Sequence, residues 1–221
     1  MKKLLLFLFV TISSLVLLPS CKDDDKEPNN EYKDWKNRNE AFFTSINATA
    51  TQEIARAKAQ YGDDWTVHCE WRAYQSYSLS QGATSNTKED SIYVKVINTG
   101  NGSGYPLSTD SVRVFYAGRL MPSESYADGY MFDHSGQSNI LENIFNRETS
   151  KPASFLVNVT TRGFATALQH MHMGDRWRVY VPYKLGYEKT EKDGIPAYST
   201  LVFDIELVQY ARAGNKLPEW I

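Results

Sequence analysis

Two stretches in the C-terminal half alternate apolar and polar side chains with the period of two that is typical of β-strands. In residues 175–182 the apolar side consists of Trp177, Val179 and Val181. Pro182 ends this pattern because proline cannot donate a ladder hydrogen bond. In residues 201–210 the apolar side consists of Leu201, Phe203, Ile205 and Leu207. Both predicted strands therefore offer an apolar side to a common core.

Three more strands are predicted upstream. Residues 91–97 alternate before a glycine-rich turn at residues 100–104. A face of the next strand consists of Val112, Val114, Tyr116 and Gly118. Residues 65–73 also alternate, and their apolar positions are Trp65, Val67, Cys69, Trp71 and Ala73. This last strand is predicted to extend or cover the sheet, with Cys69 as a small packed hydrophobe rather than a reactive thiol.

Helical spacing occurs in two places. Residues 31–61 lack proline and glycine and carry an apolar stripe, which a polar region at residues 47–51 interrupts. The stripe consists of Trp35, Phe42, Phe43, Ile46, Ile54 and Ala57. One long helix or two short ones fit this pattern, and the helix either packs on its own domain or forms a homodimer. Residues 162–171 predict a short helix whose buried face carries Phe164, Leu168 and Met171. A sheet closed over such a helix is an α+β domain.

The first residues predict a targeting segment. Lys2 and Lys3 precede an apolar run over residues 4–18, which is typical of a cleaved export signal of residues 1–20. The following Pro19-Ser20-Cys21 resembles a bacterial lipobox, which implies lipidation of Cys21 and a membrane anchor. An ordinary export signal with an incidental cysteine is the alternative.

A charged segment follows Cys21. Residues 21–30 are too poor in apolar side chains to bury a core and are predicted to be a solvated tether. The lysine and acidic run resembles the surface-export signal of lipoproteins in Bacteroidetes-type bacteria. We therefore expect a location in the cell envelope, on the outer face of the outer membrane, or otherwise facing the periplasm.

Composition excludes several function classes. The chain has 24 Lys and Arg against 26 Asp and Glu, a balance that argues against a nucleic-acid partner. Its two cysteines, one of them at the proposed lipidation site, provide no disulfide framework. The four histidines have no metal-binding spacing beyond one His-x-His pair, and no phosphate loop, dinucleotide fingerprint or nucleophile elbow is present. No metal and no cofactor are predicted.

Three segments together resemble one family. They are VRVFYAGRL with MFDHS, then FLVNVTTRGFATALQHMHMGD, and finally GDRWRVYVPYKLGY with IPAYSTLVFDIEL. In this order they resemble FK506-binding-protein-type (FKBP-type) prolyl isomerases over residues 91–210. The resemblance implies an antiparallel sheet of about five to six strands wrapped over one short central helix. Residues 31–90 are then an N-terminal helix with an extra strand or hairpin, and residues 211–221 are a C-terminal tail.

The resemblance also implies a site. It implies peptidyl-prolyl cis-trans isomerase activity on proline-containing polypeptides, and binding of FK506-like macrolides. The catalytic positions that it implies are Asp133, Tyr187 and the backbone N–H of Thr161. The implied substrate-binding positions are Tyr116, Phe132, Phe164, Ile195, Phe203 and Gly186.

Departures from the family pattern favour an alternative, a binding module or chaperone of the same fold with weak or no isomerase activity. Phe164 replaces the usual tryptophan, and Ala153 stands where an aromatic residue is common. Thr160 and Thr161 replace the usual Val-Ile. The family's pocket arginine has no clear match, and Arg147 is the nearest candidate. A longer connection over residues 136–154, with a short helix predicted at residues 140–145, could gate the site or bind a partner.

Overall fold

The computed structural model describes residues 30–77, 87–135, 145 and 147–220. Residues Glu31–Ile221 form one compact unit. The predictions of a signal peptide at residues 1–20, of a tether before residue 30 and of a helix beginning at residue 140 lie outside the described residues.

A seven-stranded antiparallel sheet forms the body of the domain. Its strands are β1 (Trp71–Gln75), β2 (Ser91–Asn98), β3 (Ser111–Leu120), β4 (Met131–His134), β5 (Ala153–Leu156), β6 (Arg176–Val181) and β7 (Leu201–Ala211). The order across the sheet is β1-β2-β6-β7-β3-β4, and β5 pairs with β3. The predicted α+β class and antiparallel sheet are confirmed, and β1 is the predicted extra strand that extends the sheet edge beyond β2.

One short helix, α3 (Arg162–Leu168), closes the apolar face of this sheet. Phe164 and Leu168 are buried in the main core, as the helical spacing predicted, whereas Met171 is buried in that core beyond the end of the helix. Gly163 lets the helix approach β6 closely, since a Cβ there would stand 2.3 Å from Cγ1 of Val181. The helix and the two C-terminal strands therefore share one core.

The N-terminal extension is one continuous helix, α1 (Trp35–Tyr61), and not two short ones. It ends at Gly62, whose φ of 56° is accessible to glycine without strain. Its buried positions are Trp35, Asn39, Phe43, Ala50 and Ala57. The helix therefore packs on its own domain, which was one of the two predicted alternatives. No helix within the described ranges is long and apolar enough to cross a membrane.

The predicted strand over residues 65–73 is wrong in its first half. Residues Trp65–His68 form a helical turn, α2, and β1 begins only at Trp71. The Lys58 ammonium lies 4.9 Å from the centroid of the Trp65 ring, and the Arg72 guanidinium lies 5.0 Å from it. Val67 is 79% exposed, and Cys69 is half-buried outside the strand. Cation–π contacts with Lys58 of α1 and Arg72 of β1 thus override the local alternation.

Candidate active site

A cavity of about 310 Å³ opens between α3, the β3–β4 edge and the loop before β7. Its walls combine rings from six different segments with a few polar groups. The lining residues are Tyr116, Phe132, Asp133, Phe155, Val159, Thr160, Thr161, Phe164, Tyr187, Lys192 and Phe203. Most of the sequence-predicted site residues are therefore brought together here.

Phe164 forms the floor of the cavity. It projects from α3 and is 4% exposed. Its ring meets the rings of Phe203, Tyr116 and Phe155 edge to face, at centroid distances of 5.0, 5.9 and 6.3 Å. Edge-to-face contacts are favourable because the positive ring edge meets the negative ring face. The floor and walls are thus a rigid aromatic cup.

A β-bulge brings Phe132 and Asp133 to the same cavity. In a regular strand, adjacent side chains point to opposite faces. Here Gly118 pairs with Asp133 and Arg119 pairs with Met131, so Phe132 is an extra residue in β4. A bulge of this kind re-aims a side chain. The phenyl ring and the carboxylate can therefore both line one site.

Tyr116 and Asp133 are joined by a hydrogen bond. The Tyr116 hydroxyl donates to Oδ2 of Asp133 at 2.7 Å, and the His134 backbone N–H donates to Oδ1 at 2.8 Å. Burial, and then the bond to Asp133, raise the pKa of Tyr116 well above its ordinary value. Tyr116 therefore stays a neutral donor that holds the carboxylate in place.

Tyr187 also lines the cavity. Burial, followed by the charges of Asp133 and Asp193, raises the pKa of its phenol. Its hydroxyl makes no hydrogen bond to any other described residue. At neutral pH this group is a protonated donor that is available to a ligand carbonyl.

Lys192 is a rim residue that the sequence reasoning missed. Its Nζ lies 5.3 Å from the centroid of the Tyr187 ring, and it is the one cation among the described residues that line the cavity. The Lys192 and Ile195 backbones exchange hydrogen bonds of 3.0 and 2.8 Å around a two-residue turn. Asp193 and Gly194 in that turn have φ of 49° and 80°. An Asp-Gly pair is the sequence signal for this hairpin turn, and it could have located Lys192.

Thr161 stands at the N-cap of α3 and lines the cavity. Its Oγ1 is buried without a hydrogen-bond partner in the described structure. Among the same residues no acceptor is bonded to its backbone N–H. The predicted N–H donor at this position is therefore available. Phe155 and Val159, two further lining residues, were not predicted as site residues.

Three expected positions lie elsewhere. Ile195 is 3% exposed and belongs to the main core, and Gly186 packs beside Leu201, so neither lines the cavity. Arg147 pairs with Glu206 and lies 5.7 Å from the Phe115 ring. Phe115 and Glu206 pair across β3 and β7 on the face opposite the cavity. The assignment of Arg147 as a pocket arginine is therefore wrong, because adjacent strand residues face opposite sides.

Residues 102–208 match the family model of the FKBP-type peptidyl-prolyl cis-trans isomerases. The chain is 40% identical over 120 residues to a macrophage infectivity potentiator of Trypanosoma cruzi, covering 54% of this chain and 53% of that protein. It is 31% identical over 169 residues to the FKBP-type peptidyl-prolyl cis-trans isomerase FkpA of Escherichia coli K12, and the match covers 76% of this chain and 53% of that protein. It is 33% identical over 123 residues to the outer membrane protein MIP of Legionella longbeachae, and the match covers 55% of this chain and 45% of that protein.

The chain spans about half the length of these curated relatives. The matched residues contain β3 to β6, α3 and nearly all of β7, and they supply every residue that lines the cavity. The part of the chain that forms the cavity, residues 102–208, therefore matches the FKBP-type peptidyl-prolyl cis-trans isomerase family.

Proposed function

We propose that this chain is a peptidyl-prolyl cis-trans isomerase that accelerates X-Pro bond rotation in exported polypeptides. The observation that carries the proposal is the cavity of about 310 Å³, which combines an aromatic cup with an available hydroxyl donor at Tyr187. Rotation of an X-Pro bond is slow enough to limit folding. A catalyst for this step assists polypeptides that fold after export.

The proposed mechanism needs no nucleophile and no cofactor. The barrier, about 18–20 kcal/mol, comes from amide resonance that is lost as the bond twists. The twisted amide has less charge separation than the planar amide. An apolar cup formed by Phe132, Phe164 and Phe203 therefore favours it relative to water, while fixed donors hold the flanking backbone.

The polar groups have distinct proposed roles. The Tyr187 hydroxyl and the Thr161 backbone N–H donate to carbonyl groups on either side of the twisting bond. Asp133, oriented by the Tyr116 hydroxyl at 2.7 Å, polarises the prolyl amide. Ile195 and Gly186 pack beneath the residues that line the cavity and do not contact the prolyl ring. FK506-like macrolides are proposed to occupy the same cup.

The experiment that tests this function is a cis-to-trans assay on short X-Pro peptides. It uses a form of the chain that begins at Lys22 and so retains all of Glu31–Ile221. We expect acceleration by the wild type and loss of most of it in Asp133→Ala and Tyr187→Phe. Tyr210→Phe is the control, since its hydroxyl bonds Ser103 outside the cavity. A wild-type rate equal to the uncatalysed rate would contradict the proposal.

A second candidate function is a binding module or chaperone of the same fold. It is favoured by Phe164, which has no indole donor, and by the lack of an arginine among the described residues that line the cavity. This candidate predicts that prolyl peptides bind without acceleration of their isomerisation. Fluorescence titration of the same peptides, beside the rate assay, separates the two functions.

We also propose that the protein resides in the cell envelope and is anchored by a lipid on Cys21. The export signal and lipobox support this location, as does similarity to a protein named for the outer membrane. Mass spectrometry of the mature N-terminus and release from membranes by Cys21→Ala test the anchor. Protease treatment of intact cells distinguishes the outer face from the periplasmic face.

A homodimer through residues 31–61 stays a prediction, to be tested by sedimentation.

A further inference from the structure

The N-terminal helix α1 contacts the loop that separates Tyr187 from β7. The Trp35 Nε1–H donates to Oγ of Ser199 at 2.8 Å. The Thr200 backbone N–H donates to Oδ1 of Asn39 at 2.7 Å. The Ser199 hydroxyl donates in turn to the Pro196 carbonyl at 2.6 Å. Two successive residues of the loop are thus held by two side chains on one turn of the helix.

Asn39 is a fully buried polar side chain on an otherwise apolar helix face. Its Nδ2 donates to the Trp35 carbonyl at 2.8 Å while its Oδ1 accepts from Thr200. Both ends of the amide are therefore used. A buried amide with both groups hydrogen-bonded fixes the orientation of the loop on the helix as well as their separation. An apolar replacement would leave the Thr200 N–H unpaired.

The loop needs external support because its backbone is strained. Glu188, Asp193 and Tyr198 have φ of 58°, 49° and 63°. Residues other than glycine in this left-handed region cost free energy and persist only when their surroundings hold them. The Tyr198 N–H donates to the Glu188 carbonyl at 2.8 Å, which joins the two ends of the loop beside Tyr187. The same Tyr198 ring lies 5.1 Å from Nζ of Lys36 on α1.

We infer that Trp35 and Asn39 are positioning residues for the candidate active site. They hold residues 188–200 in the conformation that places Tyr187 and Lys192 on the rim. The inference rests on the proposed function, and it gives α1, which lies outside the matched residues 102–208, a role in substrate binding. Loss of the contact lowers the fraction of molecules with a formed rim. Apparent KM then rises by the inverse of that fraction, while kcat is retained.

The test compares Asn39→Leu and Trp35→Phe with Asn47→Leu. Asn47 is the matched control, since it lies about two turns later on the same helix. It accepts a hydrogen bond from the Tyr93 hydroxyl at 3.0 Å, away from the cavity. We expect Asn39→Leu to raise KM for a prolyl peptide about tenfold with kcat within about twofold of wild type. Trp35→Phe shifts KM in the same direction by less, and Asn47→Leu leaves both constants unchanged.

Amide hydrogen exchange provides a readout that does not depend on turnover. We expect faster exchange over residues 188–200 in Asn39→Leu and Trp35→Phe, with β3 and β7 unchanged. Trp35→Phe keeps an aromatic ring at this position and removes only the indole donor to Ser199, so it provides the test if Asn39→Leu does not fold. Equal KM and equal loop exchange in all three variants would overturn the inference, as would an equal rise in KM for Asn47→Leu. An inactive wild type would instead overturn the proposed function, and loop exchange would still decide the positioning role.

Discussion

The Tyr116 hydroxyl bonds Oδ2 of Asp133 at 2.7 Å and thereby ties strand β3 to the bulge in β4. The two residues are 17 positions apart in the chain. Their bond determines where the only described carboxylate in the cavity points.

Removal of the hydroxyl is expected to lower both stability and activity. Tyr116→Phe leaves one oxygen of Asp133 without its donor, so we expect a loss of about 1–2 kcal/mol in the free energy of unfolding. The rate on prolyl peptides should fall as well. Tyr93→Phe is the control, because its hydroxyl bonds Asn47 outside the cavity at 3.0 Å. Urea unfolding and the peptide assay check both effects. Equal rates in the two variants would contradict a role for the pair.

Stability is expected to fall at alkaline pH. Burial raises the pKa of several tyrosines, namely Tyr74, Tyr93, Tyr116, Tyr180 and Tyr187. Their neutral form is favoured in the folded state, so this stability is fully present below the unfolded pKa of about 10 and is lost as pH rises above it. Each such tyrosine contributes a limiting slope of about 1.4 kcal/mol per pH unit.

Urea midpoints measured between pH of about 8 and 11 test this sign, with tyrosinate absorbance as a direct readout of ionisation. Tyr116→Phe should flatten the alkaline slope, since it removes one of the contributing groups. A midpoint that stays constant across this range would show that these phenols ionise equally in both states.

The hydroxyl of Thr161 is expected to be dispensable. Its Oγ1 is buried without a partner in the described structure. Thr161→Val keeps the branched shape and the backbone N–H but removes this unpaired group. We expect the free energy of unfolding to stay constant or to rise by about 0.5–1 kcal/mol, with the rate preserved. Urea unfolding and the peptide assay check this. A large loss of rate would mean that the hydroxyl itself contacts the peptide.

A methyl group at Gly118 is expected to close the cavity. A Cβ there would stand 2.7 Å from Cε2 of Phe132 and 2.8 Å from Cε1 of Phe203. Both rings must shift, so we expect Gly118→Ala to cost about 1–3 kcal/mol of stability. Peptide binding, measured by titration, should weaken strongly. Unchanged affinity would show that the two rings move away from the cavity instead of into it.

Lys192 is expected to influence which residue before proline is preferred in the substrate peptide. Its ammonium is exposed at the rim, and both oxygens of Asp133 already accept hydrogen bonds from Tyr116 and His134. We expect peptides with glutamate before proline to exceed those with lysine by about twofold to fivefold in kcat/KM, an advantage that salt reduces. Lys192→Glu should reverse the order, and Lys189→Glu, on the same loop outside the cavity, should not. No difference between the peptides at low ionic strength would contradict this role.

Much of the architecture could be predicted from local patterns. The alternation in residues 175–182 and 201–210 predicted β6 and β7, and the spacing of Phe164, Leu168 and Met171 predicted α3. These patterns are reliable because each strand or helix buries one continuous side against the same core. Residues 65–68 are the exception, since contacts of Trp65 with Lys58 and Arg72 stabilise a helical turn there.

Local patterns predicted the α+β fold and a helical N-terminal extension, and the family resemblance predicted most of the aromatic residues around the cavity. The three-dimensional structure was needed to show that α1 is one continuous helix and that a bulge turns Phe132 and Asp133 together. It was also needed to place Lys192 on the rim and Arg147 on the opposite face. It also placed Asn39 against Thr200, 161 positions away. The physical reason is that local periodicity reports which side of one element is buried. Backbone irregularities and long-range packing determine which side chains of different elements meet.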